Sequence, residues 1–230
     1  RNGMRKVSLL VAIALVTIPA VYAASTGYHL LGDIKVGGEG GWDYLTADAA
    51  ARRLYVSHAT HVVVVDIDAN KVVGDIPDTQ GVHGIAIAPA LNRGFTSNGR
   101  SNNVTIFDLK TLKAIGQVPT GDNPDSIRFD AVSGRVFTFN GRSKNSTAID
   151  AKAGTAVGTI ALPGKPEFSV ADGKGKIYVN IEDTNEVVEI DAAKAAVTKK
   201  YSIAPCEEPS GLAMDTAKRK LFSVCSNRLM

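Results

Sequence analysis

The chain has few aromatic residues, 6% of 230, and one tryptophan. Its only cysteines are Cys206 and Cys225. Without Cys-x-x-Cys spacing they argue against a thiolate metal knuckle, and Cys206-Glu207-Glu208-Pro209 lacks the histidine of a haem attachment motif. No Walker loop, His-Glu-x-x-His pattern or nucleophile elbow is present, so the commonest phosphate-cradle, metalloprotease and serine-hydrolase chemistries have no footing. No low-complexity stretch or linker separates unlike domains. No apolar run approaches the about 20 residues that span a bilayer. The longest, Val7 to Ile18, is about a dozen residues.

That run has a different meaning. Met4, Arg5 and Lys6 precede it, Pro19 breaks it, and Val21-Tyr22-Ala23 ends it on small residues. These are the three regions of a cleaved secretory signal, which predicts a leader over 1–24, with Arg1 to Gly3 upstream of Met4. No cysteine follows, which argues against a lipid anchor. The mature chain, 25–230, is then periplasmic or secreted, with no membrane attachment after cleavage. Of 26 basic residues, Arg1, Arg5 and Lys6 leave with the leader, and the remaining 23 match the 23 acidic ones. A neutral mature chain lacks the basic face that nucleic-acid binders carry.

Against these absences stands a repeat. Gly32, Gly74, Gly116 and Gly158 fall 42 residues apart each time, in matching segments such as Val73-Gly-Asp-Ile76. An aspartate closes an apolar run at Asp66, Asp108, Asp150 and Asp191, and an aromatic follows a basic turn at Tyr55, Phe95, Phe137, Tyr178 and Phe222. Each repeat holds four short runs rich in β-branched residues, punctuated by Pro, Asn, Gly and Asp. Runs of four to six residues are too short for a helical solenoid. Four strands in about 42 residues make one propeller blade. The predicted fold is all-β, a β-propeller of four-stranded antiparallel blades. The recurrent aspartates read as structural, bonding the backbone of the turn that follows.

Tyr55-Val56-Ser57-His58 and Tyr178-Val179-Asn180-Ile181, with the drifted copies Phe95-Thr96-Ser97-Asn98 and Phe137-Thr138-Phe139-Asn140, resemble the signature of YVTN-repeat propellers. From Tyr28 onward the chain is similar to the exported, YncE-like branch of that family. The resemblance implies seven blades, closed by pairing an N-terminal outer strand with C-terminal inner ones. About four and a half are present here: a lone outer strand over Tyr28–Val36, complete blades over 42–79, 83–120, 125–162 and 166–204, and two strands within 209–226. On this reading the sequence is a C-terminally incomplete propeller.

Cys206 and Cys225 flank a predicted hairpin, so an oxidising compartment predicts a disulfide between them. Two buried thiols are the plainer alternative.

In a propeller the loops of one face meet at the channel mouth, and loops on a rigid scaffold carry function. Three of the four histidines fall on that face: His58, His61 and His83. Imidazoles suit zinc or copper, with Asp43 or Glu167 as a further ligand; solvated loop histidines are the alternative. Asn-Gly-Arg-Ser occurs twice, at Asn98–Ser101 and Asn140–Ser143. Asn-Gly suits a tight turn with positive φ, and Arg100 and Arg142 offer forked bonds to a carboxylate or phosphate. The expected ligand-binding set is Trp42, Asp43, His83, Arg100, Arg142 and Glu167.

The fold hosts many activities and decides none. The leading expectation is a non-catalytic scaffold that captures a small anionic ligand or a periplasmic protein. A metal-dependent enzyme or redox protein using His58, His61 and His83 is the alternative. DNA binding, which the resemblance allows, is opposed by the charge and the leader.

Overall fold

The computed structural model describes residues 27–230. The expected leader lies outside them. The chain parts into two units, residues 1–33 and 34–230. The described part of the first, 27–33, is irregular and exposed.

The second unit holds eighteen strands in five antiparallel sheets. The first sheet is β1 (Trp42–Asp48), β2 (Arg53–His58), β3 (His61–Asp66) and β4 (Lys71–Ile76). The second is β5 (Val82–Ala88), β6 (Arg93–Asn98), β7 (Asn103–Asp108) and β8 (Ala114–Pro119). The third is β9 (Pro124–Asp130), β10 (Arg135–Asn140), β11 (Asn145–Asp150) and β12 (Thr155–Ala161). The fourth is β13 (Pro166–Ala171), β14 (Lys176–Ile181), β15 (Glu186–Asp191) and β16 (Ala196–Ser202), and β17 (Pro209–Asp215) pairs with β18 (Lys220–Cys225). Strands pair in chain order within each sheet, and the first strands of successive sheets lie side by side. These are propeller blades.

The sequence explains why the middle strands are middle. Val62 to Val65 are all buried, because both faces of β3 meet other side chains. β4 and β8 are largely exposed, as outermost strands. The core forms between sheets: Tyr55, Val62 and Val64 of the first pack with Ile85 and Phe107 of the second. Phe95 and Val104 of the second pack with Ile127 and Ile149 of the third. Phe137 and Phe139 of the third pack with Ile177 and Val188 of the fourth. Each sheet buries its faces only against its neighbours, the logic of a repeat array.

The recurrent aspartates do what their position suggests. Asp66 Oδ1 accepts from the amides of Asp68 and Ala69 at 3.0 and 2.8 Å. Asp108 and Asp150 repeat the pair. A second device was not anticipated. Arg53, Arg93 and Arg135, each opening a second strand, reach across to backbone carbonyls of Leu109, Ala151 and Ala192 in the following sheet. Cys206 and Cys225 form a disulfide with Cα atoms 5.6 Å apart, as an oxidising compartment allows. No helix of the described residues is long and apolar enough to cross a membrane.

One expectation fails. Residues 28–36 are not a strand. A strand needs a ladder partner, and none of the eighteen pairs with this segment. Within the second unit, Ile34 and Val36 instead lay their side chains on Val56, Val63 and Val65.

Candidate functional site

Every first strand breaks register at the same place. In β1 the pairing with β2 jumps from Trp42↔His58 to Leu45↔Val56. β5 jumps between Val82 and Ile85, β13 between Pro166 and Ser169, and β17 between Pro209 and Leu212. In β9 Pro124 faces Asn140 while Ile127 faces Thr138. Two residues therefore oppose one, which is a β-bulge, a feature that re-aims side chains. The bulged pairs are Asp43-Tyr44, His83-Gly84, Asp125-Ser126, Glu167-Phe168 and Ser210-Gly211. Because the first strands are adjacent, one polar residue per sheet converges on a shared space.

Three of them meet. His83 Nδ1 lies 2.5 Å from Asp43 Oδ2 and 4.0 Å from Asp125 Oδ1. One ligand atom from each of Asp43, His83 and Asp125 falls within 4.8 Å of the others. An ionised carboxylate only accepts, so Nδ1 carries the proton it donates to Asp43. Asp125 Oδ1 is buried with no hydrogen-bond partner. The next blade adds Glu167, whose Oε1 is 2.8 Å from Lys165 Nζ, and that ammonium also pairs with Glu182.

The scaffold fixes this cluster. The Ser97 hydroxyl donates to the Asp125 carbonyl and accepts from the Gly84 amide at 2.9 Å, tying the second and third sheets beside the site. A Cβ on Gly99 would lie 2.6 Å from His83 Nε2, so a larger residue there would push the imidazole aside. Each loop after a second strand also donates an amide to the loop before the first: Ala59 to Gly41, Gly99 to Gly81, Gly141 to Asn123 and Glu182 to Lys165.

The electrostatics follow from crowding acids in a half-buried place. The hydrogen bond to Asp43 raises the His83 pKa, against burial. Burial raises Asp125, with His83 and Tyr44 opposing and Asp43 adding to the rise. Burial likewise raises Glu167 despite Lys165. Burial, then Asp125, Asp43 and Glu167, push the Tyr44 phenol well up. The anionic forms of Asp125 and Glu167 are destabilised as they stand, so a cation placed among them is favoured.

The expected site residues divide. Asp43, His83 and Glu167 belong to this region. The three histidines do not form one group: among the described residues no trio of ligand atoms joins His83 to His58 and His61. His58 is stacked on Trp42, ring centroids 3.7 Å apart and planes within 5°, and meets His61 edge-on at 4.8 Å. His58 is fully buried, with both ring nitrogens unpartnered. His61 Nε2 is 3.7 Å from Asp75. Arg100 and Arg142 are exposed, and among the described residues neither guanidinium makes an ion pair. Their loops are not positive-φ Asn-Gly turns. The left-handed residues are Asn102 and Lys144, and Gly99 serves by giving space to His83. Asp125 shares the register of Asp43, His83 and Glu167, a signal present in the sequence. Tyr44 and Phe168 enter only through the bulge, and Arg128 through the regular register of β9.

No family model and no curated protein matches the chain. Among solved structures it is similar to hydrazine synthase from Kuenenia stuttgartiensis, with a TM-score of 0.67 and 18% identity over 80% of this chain and 55% of that one. At that identity the likeness shows the fold alone, a β-propeller. The chain spans about half the length of that relative.

Proposed function

We propose that this is a binding propeller of the periplasm or another exported compartment, and that Asp43, His83 and Asp125 hold a divalent transition-metal ion, with Glu167 beside them. The observation that carries the reading is the convergence of three ligand atoms within 4.8 Å from three different sheets. One imidazole and two carboxylates suit zinc. The ion would displace the proton between His83 and Asp43 and relieve the unpartnered Asp125 oxygen. The ligand this cluster calls for is a cation, not the small anion expected from Arg100 and Arg142. The disulfide supports the compartment.

Calorimetric titration of the metal-free chain with zinc tests it. We expect one ion per chain, with affinity reduced 100-fold or more by His83→Ala and by Asp125→Asn, and unchanged by His61→Ala. Absence of binding, or equal binding by the two site variants, would sink the reading.

A further inference from the structure

Below the acid cluster the first strands enclose a second space of different character. It is a cavity of about 370 Å³ lined by Asp43, Tyr44, Ile85, Ser126, Arg128 and Phe168, among others. Tyr44 of the first sheet and Phe168 of the fourth meet edge to face across it, ring centroids 5.1 Å apart. Ser126 is satisfied, its hydroxyl 2.6 Å from that of Ser169. Its volume lies in the range of small-molecule sites.

Arg128 is the anomaly. Its Nε donates to the Ser169 carbonyl at 2.5 Å, and its guanidinium carbon sits 4.6 Å from the centre of the Phe168 ring. Those two contacts aim and flatten the fork. Among the described residues, no carboxylate forms an ion pair with Arg128 and neither terminal nitrogen makes a hydrogen bond. Asp125 of the cluster is three residues away on β9, roughly 10 Å along a strand, and Asp43, which lines the cavity, makes no ion pair with Arg128. Burial lowers the Arg128 pKa, yet arginine stays charged at any working pH. A largely buried cation with its bidentate edge unused is costly unless something anionic meets it.

We propose that this cavity is a carboxylate site centred on Arg128, beside the metal cluster and bordering it at Asp43. A small organic monocarboxylate presents its two oxygens to the terminal nitrogens of Arg128, and its apolar tail lies against Phe168, Ile85 and Ile127. The planar fork matches a carboxylate bidentately, as an ammonium does not. Tyr44, held as a neutral phenol by its surroundings, adds no charge against the bound anion.

The test uses the whole chain, metal-free, at constant ionic strength. Melting temperature and calorimetry are read with sodium propionate, sodium benzoate, their neutral amides propionamide and benzamide, and inorganic phosphate. We expect saturable stabilisation by the two carboxylates, benzoate the stronger, and none by the amides. Phosphate, being rounder and more heavily hydrated, should compete weakly. Arg128→Met should fold, with a melting temperature at or above that of the parent, and lose carboxylate binding at least 30-fold; Arg128→Lys should lose it about tenfold. Phe168→Ala should weaken benzoate more than propionate. Amides binding as well as acids, carboxylates with no saturable effect, or an Arg128→Met variant that binds them as the parent does, would each overturn the proposal. The amide comparison is made on the unaltered chain, so it decides the matter even if a variant fails to fold.

Discussion

The second and third sheets finish their second strands in one way, and the first sheet does so in another. Asn98 is fully buried and its amide donates to Asn103 Oδ1 at 2.8 Å and Thr105 Oγ1 at 2.9 Å, while its oxygen accepts from Thr96. Asn140 repeats the arrangement with Asn145, Thr147 and Thr138. The residue in that place in the first sheet is His58, with Val63 where the threonine would be, and its ring nitrogens go unpaired. The fourth sheet differs again: buried Ile181 stands in that place, and Asn180, one residue earlier, sends its amide to the Ser210 and Gly211 carbonyls of β17. One backbone position thus carries a saturated internal amide, an unpaired aromatic stack or a buried aliphatic side chain. The repeated solution is structural; the departures mark where the array is specialised.

Four predictions sharpen this contrast. The largest effect concerns the last pair of strands, where covalent bonding supplements packing. Cys206 and Cys225 are 19 residues apart, and closing a loop of that length stabilises by about 3 kcal/mol. Denaturant unfolding of Cys206→Ala/Cys225→Ala should show that loss, and a midpoint unmoved by reduction in the parent would contradict it. Next, Asn98→Ala or Asn140→Ala strands buried acceptors and donors and should cost about 2 kcal/mol each. His58→Ala has no such bonds to break, so its loss should come from packing, chiefly with Trp42 and His61. If His58→Asn/Val63→Thr restores the missing network, that double variant is more stable than either single change.

The third prediction concerns pH. Burial raises the Asp172 pKa, but the Arg219 hydrogen bond and the backbone amides of Lys176 and Lys174 more than reverse it, leaving it below the ordinary value. A carboxyl whose folded pKa is depressed adds stability that is present above its unfolded pKa, about 3.9, and is lost as pH falls through the folded value. The stability gap between the parent and Asp172→Asn should therefore be full at pH 7, on the order of 1 kcal/mol since Arg219 is partly solvated, and should close on acidification below about pH 4. A gap that widens with acid would contradict this. The smallest effect is at the surface: Asp68→Asn removes the exposed pair with Arg52 and should leave the melting temperature unchanged.

The repeat made most of the fold legible. Gly, Asp and aromatic markers in fixed register are enough to place strands, because each sheet repeats the same burial pattern. Tyr28–Val36 misled because its Leu31-Gly-Asp-Ile34 matches a fourth strand in composition, while strand character depends on a neighbour that composition does not supply. The site was legible only as far as chain register reaches. Asp43, His83 and Glu167 were identifiable, and Asp125 stands in the same column. Which histidines meet was not, since sharing a face says nothing of distance, and His58 turns to Trp42 rather than to His83. Tyr44 and Phe168 depend on the bulge, which shifts two side chains per strand and leaves no mark in residue type, and Arg128 lies in regular register on β9.

The central claim is that the metal ligands come from three sheets and include a single imidazole. X-ray absorption at the zinc edge of the zinc-loaded chain tests this most directly. The account predicts a first shell of oxygen and nitrogen with one imidazole, lost in His83→Ala. A shell with two imidazoles, surviving His83→Ala and abolished by His58→Ala or His61→Ala, would place the metal at the Trp42 stack and contradict the account.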